Sequence, residues 1–276
     1  MGQGIATSLA QLVVDVFGVP LSQVRIQMGD TDQSNGFGSA GSRSLFTGGS
    51  AVHVGAEKTL DKARELAAQA LEASAQDLQY SSGEFLVAGT DLKISLAKLA
   101  GQQPTKKIEL QSTTTANGPT WPNGCHVCEV ELDPKTGAVG VVSYTSVNDV
   151  GRVINPTIVR GQLDGGAVQG IGQALLEQVV YDEETGQLIT GSLMDYALAH
   201  ADLMPQMFST HMDTSIPCKN NVLGVKGVGE LGTIGATPAV VNAVADALAR
   251  HGKSPLCSRL QMPLTPFRMW QLMYSA

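Results

Sequence analysis

Apolar residues recur along this chain in two spacings, and each spacing predicts a different element. Apolar positions three and four apart predict helices, whereas positions two apart predict half-buried strands. Helical spacing covers 5–17, 47–75, 95–100, 159–178 and 238–250, and alternation covers 24–28, 84–87, 127–132, 139–147 and 208–212. Because these helices and strands mix without a regular β-α-β alternation, the sequence predicts an α+β fold.

The stretch 102–124 is polar and irregular, and it is the best candidate for a long connection within the chain. We therefore expect two subdomains of α/β type with mixed sheets, at 1–120 and 121–276. A second hairpin is also predicted, with its turn at 182–186, where the sequence Asp-Glu-Glu-Thr-Gly supplies turn-forming residues.

Charge and composition argue against several classes of function. The net charge is −7 and no run of Lys or Arg occurs, which argues against nucleic-acid binding. The first residues lack the basic and apolar regions of a secretion signal, and no apolar run reaches the roughly 20 residues that span a bilayer. The spacing of the four cysteines indicates no disulfide framework, so we expect a cytoplasmic protein without a membrane span.

Cys125 and Cys128 form a C-x-x-C pair, a spacing found in zinc half-sites and in redox pairs. The pair lies in an alternating strand pattern, and no second pair completes a tetrahedral set of ligands. The five histidines are scattered without ligand spacing. We therefore interpret both cysteines as ordinary strand residues and expect no metal ligand among the side chains of this chain.

Five glycines lie among residues 224–235 and flank one carboxylate, that of Glu230. Glycine permits positive φ and close approach of the backbone to another group, so this segment can hold Glu230 against something bulky. Thr237 and Pro238 suit the N-cap and the first position of the helix that follows. A tight turn with a solvated glutamate is the competing interpretation. Lys226 is interpreted as a solvated lysine, with orientation of the loop or contact with a phosphate group as the alternatives.

Three further glycine-bearing segments have the composition to approach an anion. Residues 2–4 precede a helix, where backbone N–H groups are exposed. Successive small residues at 38–44 have the composition of an anion nest, and the small residues at 161–170 allow close packing against a helix or a ligand. Each segment also has a simpler interpretation: a helix cap, a flexible Gly/Ser loop, and tight helix packing.

The order of these segments resembles that of a known family. G-Q-G at 2–4, G-S-A-G-S-R-S at 38–44, G-Q-L-D-G-G-A-V-Q-G at 161–170 and G-V-K-G-V-G-E-L-G-T-I-G at 224–235 occur in sequence. This succession is similar to the second molybdopterin-binding region of the molybdenum hydroxylases, the large-subunit family of xanthine dehydrogenase, aldehyde oxidase and carbon monoxide dehydrogenase. The likeness covers nearly the whole chain and is weakest across residues 75–120.

The resemblance implies the fold of that region, with both subdomains contacting a molybdenum–molybdopterin cofactor, either as such or as its cytosine dinucleotide. It implies that Glu230 is the catalytic base beside the metal. The implied cofactor-binding residues are Gly2, Gln3, Gly4, Gly41, Ser42, Arg43, Ser44, Gln162, Gly227, Val228 and Gly229.

The reaction implied by the resemblance is hydroxylation, with oxygen from water, of an aldehyde or of an N-heteroaromatic or purine-type substrate. The family's first molybdopterin region is not found in this sequence. We therefore expect the N-terminal half of the molybdenum-binding subunit as a partner, no activity without it, and iron–sulfur and FAD centres on other subunits. Two other hypotheses stay open: a non-catalytic remnant or assembly partner that keeps the fold without cofactor, and a carboxylate-based hydrolase, for which no nucleophile motif is found.

Overall fold

The computed structural model describes residues 2–32, 36 and 38–274. Within this part of the chain the helices are Ile5–Phe17 (α1), Ser50–Ala70 (α2), Leu96–Gly101 (α3), Pro156–Leu175 (α4), Leu231–Arg250 (α5) and Pro266–Tyr274 (α6). The strands are Leu78–Ser81 (β1), Glu84–Val87 (β2), Lys93–Ser95 (β3), Asn123–Leu132 (β4), Val139–Asp149 (β5) and Met207–Asp213 (β6). They form two sheets, β1-β2-β3 and β4-β5-β6, and the predicted α+β fold class is confirmed.

The chain divides into two compact units. Unit 1 contains the chain up to Thr120 together with Cys218–Val225, and unit 2 contains Trp121–Pro217 and the chain from Lys226 onward. The sequence did not predict the return of a short segment to unit 1. Asn220 holds that segment there, since its backbone oxygen accepts the N–H of Asn117 at 3.1 Å. The predicted role of each subdomain in cofactor binding stays a prediction.

In unit 1 an antiparallel meander shares a hydrophobic core with α2. Phe85 of β2 is fully buried, and its ring centroid lies 4.8 Å from that of Tyr80 on β1. Ala63 and Ala67 of α2 are also fully buried, and such small side chains let a helix approach a sheet closely. The Tyr80 hydroxyl donates to the Phe17 carbonyl oxygen at 2.8 Å, which ties the meander to the end of α1.

In unit 2 the helices α4 and α5 pack with a mixed sheet. β4 and β5 form an antiparallel hairpin, and β6 lies beside β5 in parallel orientation. Tyr144 of β5 is fully buried in one hydrophobic cluster with Val240 and Leu248 of α5. The predicted hairpin is confirmed, although both of its strands are longer than the sequence pattern indicated.

α5 begins earlier than predicted. The sequence placed the N-cap at Thr237 and the first helical position at Pro238, whereas the helix starts at Leu231 and contains Pro238 in its interior. Proline lacks the N–H of one helical hydrogen bond, so the first turn depends on other contacts. The Thr237 hydroxyl supplies one of them, because it donates to the Gly170 carbonyl oxygen of α4 at 3.1 Å rather than capping the helix.

Other predicted elements have mixed outcomes. The predicted helices at 5–17 and 159–178 and the predicted strands at 84–87 and 208–212 are confirmed, with ends that differ by up to three residues. The predicted strand at 24–28 is wrong, because that segment belongs to neither of the sheets that the structure describes.

One described helix, α5, is long and apolar enough to cross a membrane by length and composition, although no such run is expected from the sequence. The helix packs against α4 and β4, and four of its side chains, Ala236, Val240, Val244 and Leu248, are fully buried. The core helix of a folded domain meets the same two criteria.

Candidate functional site

The candidate site in unit 2 is the glycine-rich segment 226–230, which leads directly into α5. Lys226 fixes one end of it: its backbone N–H donates to the Val150 carbonyl oxygen at 3.1 Å, and its Nζ lies 2.5 Å from Asp149 Oδ2. The other end is fixed because α5 begins at the residue after Glu230. The carboxylate is therefore presented between two anchored points.

Lys226 is not the solvated lysine that the sequence favoured. Its side chain is 7% exposed, and that of its partner Asp149 is 22% exposed. A buried ammonium group is costly unless a carboxylate and hydrogen bonds compensate it, so such a lysine needs a partner. The alternative interpretation, in which Lys226 orients the loop, agrees with this geometry.

Glu230 is exposed at the N-terminus of α5, with φ −113° and ψ −8°. The first N–H groups of a helix and its macrodipole make this end positive, which favours a carboxylate and also favours an anionic ligand. The sequence predicted a glutamate some residues ahead of a helix N-terminus. In the structure the helix begins at Leu231, so its N-terminus lies directly after Glu230.

Gln162 lies on α4 in a turn that touches the first turn of α5. A Cβ atom added at Gly232 would lie 2.3 Å from the Leu163 carbonyl oxygen and 2.8 Å from the Ala167 amide nitrogen. The two helix backbones are therefore in direct contact. Within unit 2, the structure brings the turn that carries Gln162 against the turn that follows Glu230.

The small residues of α4 divide between two faces of that helix. Gly166 and Gly170 face α5, because an added Cβ would come within 3.0 Å and 2.7 Å of its atoms. Gly161 and Gly165 have no atom within 4 Å of an added Cβ. The helix-packing interpretation is thus confirmed for one face, and the other face is open for a different contact.

In unit 1, Gly2 and Gln3 lead into α1 through Gly4. Gly4 has a φ of 73°, a conformation that favours glycine, and its carbonyl oxygen accepts the N–H of Ser8 at 3.1 Å. Gly2 is exposed and Gln3 is partly buried. The helix-cap interpretation explains Gly4, and the predicted cofactor contacts of these residues stay a prediction.

The predicted anion nest in unit 1 contains several residues at positive φ. Gly38, Gly41 and Ser42 have φ values of 84°, 57° and 52°. Gly41 and Ser42 are both left-handed and lie at the centre of a turn that the Arg43 N–H and the Ala40 carbonyl oxygen close at 3.4 Å, and a turn can gather backbone N–H groups into an anion-binding concavity. A non-glycine residue such as Ser42 at positive φ is strained, and strain of this kind clusters at ligand sites. The Arg43 Nε donates to the Ala40 carbonyl oxygen at 3.1 Å, which folds its guanidinium over the loop.

A single π-helical turn, Leu45–Gly49, follows the nest and precedes α2, where the sequence predicted a continuous helix. Such turns occur frequently at functional sites. The hydroxyls of Ser39 and Ser44 lie 2.5 Å apart beside it. An added Cβ at Gly49 would lie 3.2 Å from the Leu12 side chain, so this turn packs on α1, the helix that follows Gln3. Backbone N–H groups, serine hydroxyls and a guanidinium together are a donor set that fits a phosphate.

A buried polar cluster that the sequence did not predict lies on the inner face of the unit 2 sheet. His126 Nδ1 lies 2.5 Å from the Tyr144 hydroxyl, and the fully buried Asn148 donates from Nδ2 to Ser146 Oγ at 2.9 Å. Burial lowers the pKa of His126, which the Asn148 side chain partly offsets, and burial raises the pKa of Tyr144. The His126 ring also lies against Gly235 of α5, where an added Cβ would come within 2.5 Å. Strand alternation could have assigned His126 to this face.

The cysteine pair lies on β4, as the strand interpretation predicted. Cys125 and Cys128 are three residues apart in a strand, so their side chains face opposite sides of the sheet. Burial, assisted by the charge of Glu129, raises the pKa of the Cys128 thiol to about 11. Within the described residues, no three side chains of the His, Cys, Asp or Glu types are arranged to hold a metal ion.

Comparison with known proteins finds relatives along nearly the whole chain. A family model described as "molybdopterin cofactor-binding domain" matches residues 1–205. The gamma subunit of the 6-hydroxypseudooxynicotine dehydrogenase complex of Paenarthrobacter nicotinovorans is 40% identical over 261 residues, covering 90% of this chain and 32% of that protein. The carbon monoxide dehydrogenase large chain of Hydrogenophaga pseudoflava is 35% identical over 279 residues, covering 98% of this chain and 34% of that protein.

Solved structures agree with the sequence relatives. The crystal structure of quinoline 2-oxidoreductase from Pseudomonas putida 86 matches with a TM-score of 0.79 at 35% identity, covering 99% of this chain and 35% of that chain. The chain thus spans about a third of the length of the relatives that it matches.

Proposed function

This chain belongs to the molybdenum hydroxylase family, and from that premise we propose that it is the C-terminal cofactor-binding part of such an enzyme. The observation that carries the proposal is the segment that holds Glu230 at the N-terminus of α5, between the anchored Lys226 and the α4 contact. Since the chain spans about a third of its relatives, we propose that activity requires the N-terminal half of the molybdenum-binding subunit.

The residues present fit a molybdopterin in both units. In unit 1 the nest around Ser42 offers backbone N–H groups and hydroxyls that suit the pterin phosphate. In unit 2 the amide of Gln162 can both donate and accept hydrogen bonds, and the backbone of 227–229 lies at the positive end of α5. We propose that these residues, with 2–4 and 41–44, hold molybdenum–molybdopterin, either as such or as its cytosine dinucleotide.

The bound cofactor supplies the oxygen transfer and accepts the electrons of the oxidation. Glu230 acts as the base, because its carboxylate accepts the proton released when oxygen from water enters a C–H bond of the substrate. The positive end of α5 favours a negative charge at this position and so helps to orient the carboxylate. The anchored backbone on either side limits how far the carboxylate can move.

We propose an aldehyde or an N-heteroaromatic or purine-type molecule as the substrate, and iron–sulfur and flavin subunits as the route for electrons. Names such as "complex subunit gamma" and "large chain" among the relatives support a multi-subunit assembly. Leu193 and Met194 are 78% and 92% exposed, and apolar exposure of this kind supports contact with another protein surface. The four free thiols support a cytoplasmic location.

Replacing Glu230 with glutamine tests this function, because the change removes the base while keeping the size of the side chain. We expect the assembled protein to keep its molybdenum and pterin while turnover falls by about 10²–10⁴-fold. Glu184→Gln, in the exposed turn at 182–186, is the matched control and should leave turnover unchanged. Full turnover in a Glu230→Gln protein that retains molybdenum would remove Glu230 as the base.

A further inference from the structure

Lys226 and Asp149 form a buried ion pair that differs from the other pairs described in unit 2. Their side chains are 7% and 22% exposed, whereas those of Arg250 and Asp246 are 80% and 61% exposed. Exposed pairs contribute little to stability, and a buried pair has to overcome the cost of desolvating both charges. A buried pair of this kind therefore suits a role in fixing one arrangement of the chain.

Both charges of the buried pair are held from further directions. Asp149 is the last residue of β5, and its Oδ1 accepts the N–H of Gly151 at 3.3 Å. Asp213, the last residue of β6, is paired with Asp149 in the parallel register. The N–H of Ser215 holds the pKa of the Asp213 carboxyl below its usual value, and the charge of Lys226 adds to that effect. Lys226 thus meets carboxylates at the ends of two neighbouring strands.

The link between Lys226 and Glu230 is intrinsically flexible. Two of the three residues between them are glycines, which have the widest choice of backbone conformations and lose the most entropy when fixed. Downstream of Glu230, the chain is fixed where Gly232 meets the backbone of α4. Upstream, Lys226 is held both by its backbone hydrogen bond to Val150 and by its side-chain pair with Asp149.

We propose that the Lys226–Asp149 pair is a latch that positions Glu230 by anchoring the upstream end of the glycine segment to the end of β5. The inference rests on the proposed function, in which Glu230 is the base. Lys226 is a positioning residue in this scheme and acts through the backbone of the segment. A displacement of about 1 Å in a catalytic group can cost about 10²-fold in rate, so we expect an open latch to lower kcat by about 10–100-fold.

Three variants of the assembled, cofactor-loaded protein test the latch: Lys226→Met, Asp149→Asn and the double variant. Each single change leaves one charge of the pair without the other, so we expect both single variants to melt at a lower temperature. The double variant removes both charges, and we expect its melting temperature to recover. The latch is still missing there, so kcat should stay about 10–100-fold low while molybdenum content stays normal.

Hydrogen exchange supplies a readout besides activity. In the double variant we expect the amides of 227–231 to exchange about ten-fold faster or more, because the upstream end of the segment has lost the side-chain part of its anchor and keeps the backbone hydrogen bond of Lys226 to Val150. The amides of α4 should exchange as in the unmodified protein. Arg250→Met, which breaks the exposed pair at the far end of α5, is the matched control and should change neither kcat nor the exchange of 227–231.

The outcomes separate the latch from a purely structural pair. If kcat recovers together with the melting temperature in the double variant, or if 227–231 keeps its normal exchange, the latch is overturned. Glu230→Gln is measured in parallel. Full turnover in Glu230→Gln would refute both the proposed base and the latch. If Glu230→Gln loses turnover but the double variant turns over normally, the latch alone is refuted.

Discussion

Replacing Gly232 with alanine tests whether the contact between α4 and α5 sets the position of the turn that follows Glu230. The added carbon would lie 2.3 Å from the Leu163 carbonyl oxygen and 2.8 Å from the Ala167 amide nitrogen. Non-bonded heavy atoms are at their optimal separation at about 3.5–4.0 Å, so the two helices would have to move apart by about 1 Å. Both neighbours are backbone atoms, and neither can rotate out of the way.

The expected destabilisation follows from these distances. Overpacking a close-packed contact costs about 1–3 kcal/mol, and a clash with backbone belongs in the upper part of that range. Alanine is favoured over glycine within a helix by about 1 kcal/mol, which offsets part of the loss. We therefore expect the free energy of unfolding of unit 2 to fall by about 2 kcal/mol, which lowers the melting temperature by about 4–8 °C.

Tryptophan fluorescence during urea unfolding measures this change in the relevant unit, because Trp121 and Trp270 both belong to unit 2 and no other tryptophan occurs. Gly165→Ala on α4 is the matched control, since no atom lies within 4 Å of its added Cβ. We expect the control to be as stable as the unmodified protein or up to about 1 kcal/mol more stable. Equal stability of Gly232→Ala and the unmodified protein would refute the close helix contact.

Two further predictions concern β4. Burial holds the pKa of His126 in the folded protein below its value in the unfolded chain. As the pH falls, the unfolded chain therefore binds a proton at this histidine before the folded protein does. The contribution of neutral His126 to the free energy of unfolding is thus present above about pH 6.5 and is lost as the pH falls below that value. His126→Gln should flatten this part of the stability–pH curve, and an unchanged slope would contradict the burial argument. At neutral pH a maleimide should modify the exposed Cys125 before Cys128, because the pKa of the Cys128 thiol is raised to about 11. Mass spectrometry that shows the reverse order of modification would contradict the faces of β4 to which the two cysteines are assigned.

The sequence predicted elements whose ends are set by local chemistry. α1 ends at Gly18, which has the φ of 59° that a helix C-terminus of this kind requires. The hairpin between β4 and β5 turns where the Asp133 carboxylate accepts hydrogen bonds from the N–H of Lys135 and the hydroxyl of Thr136. Both signals lie within a few residues of the feature that they determine, so reading along the chain finds them.

Predictions failed where contacts between distant residues decide the outcome. The first turn of α5 is held by contact with α4, which outweighs the capping signal of Thr237 and Pro238. Lys226 is buried because Asp149, far away in sequence, lies at the end of a neighbouring strand. The polar cluster around His126 was missed for the same reason, since Tyr144 and the α5 backbone complete it.

The central claim is that this chain binds a molybdopterin, and the direct measurement is the molybdenum and pterin content of the purified protein. The chain is produced with the N-terminal half of the subunit in a host that makes the cofactor. We predict equimolar molybdenum and pterin, with loss of both when Gly41, at a φ of 57° in the nest, is replaced by valine. A stable assembled protein that contains neither molybdenum nor pterin would contradict the account and favour a non-catalytic relative that keeps the fold alone.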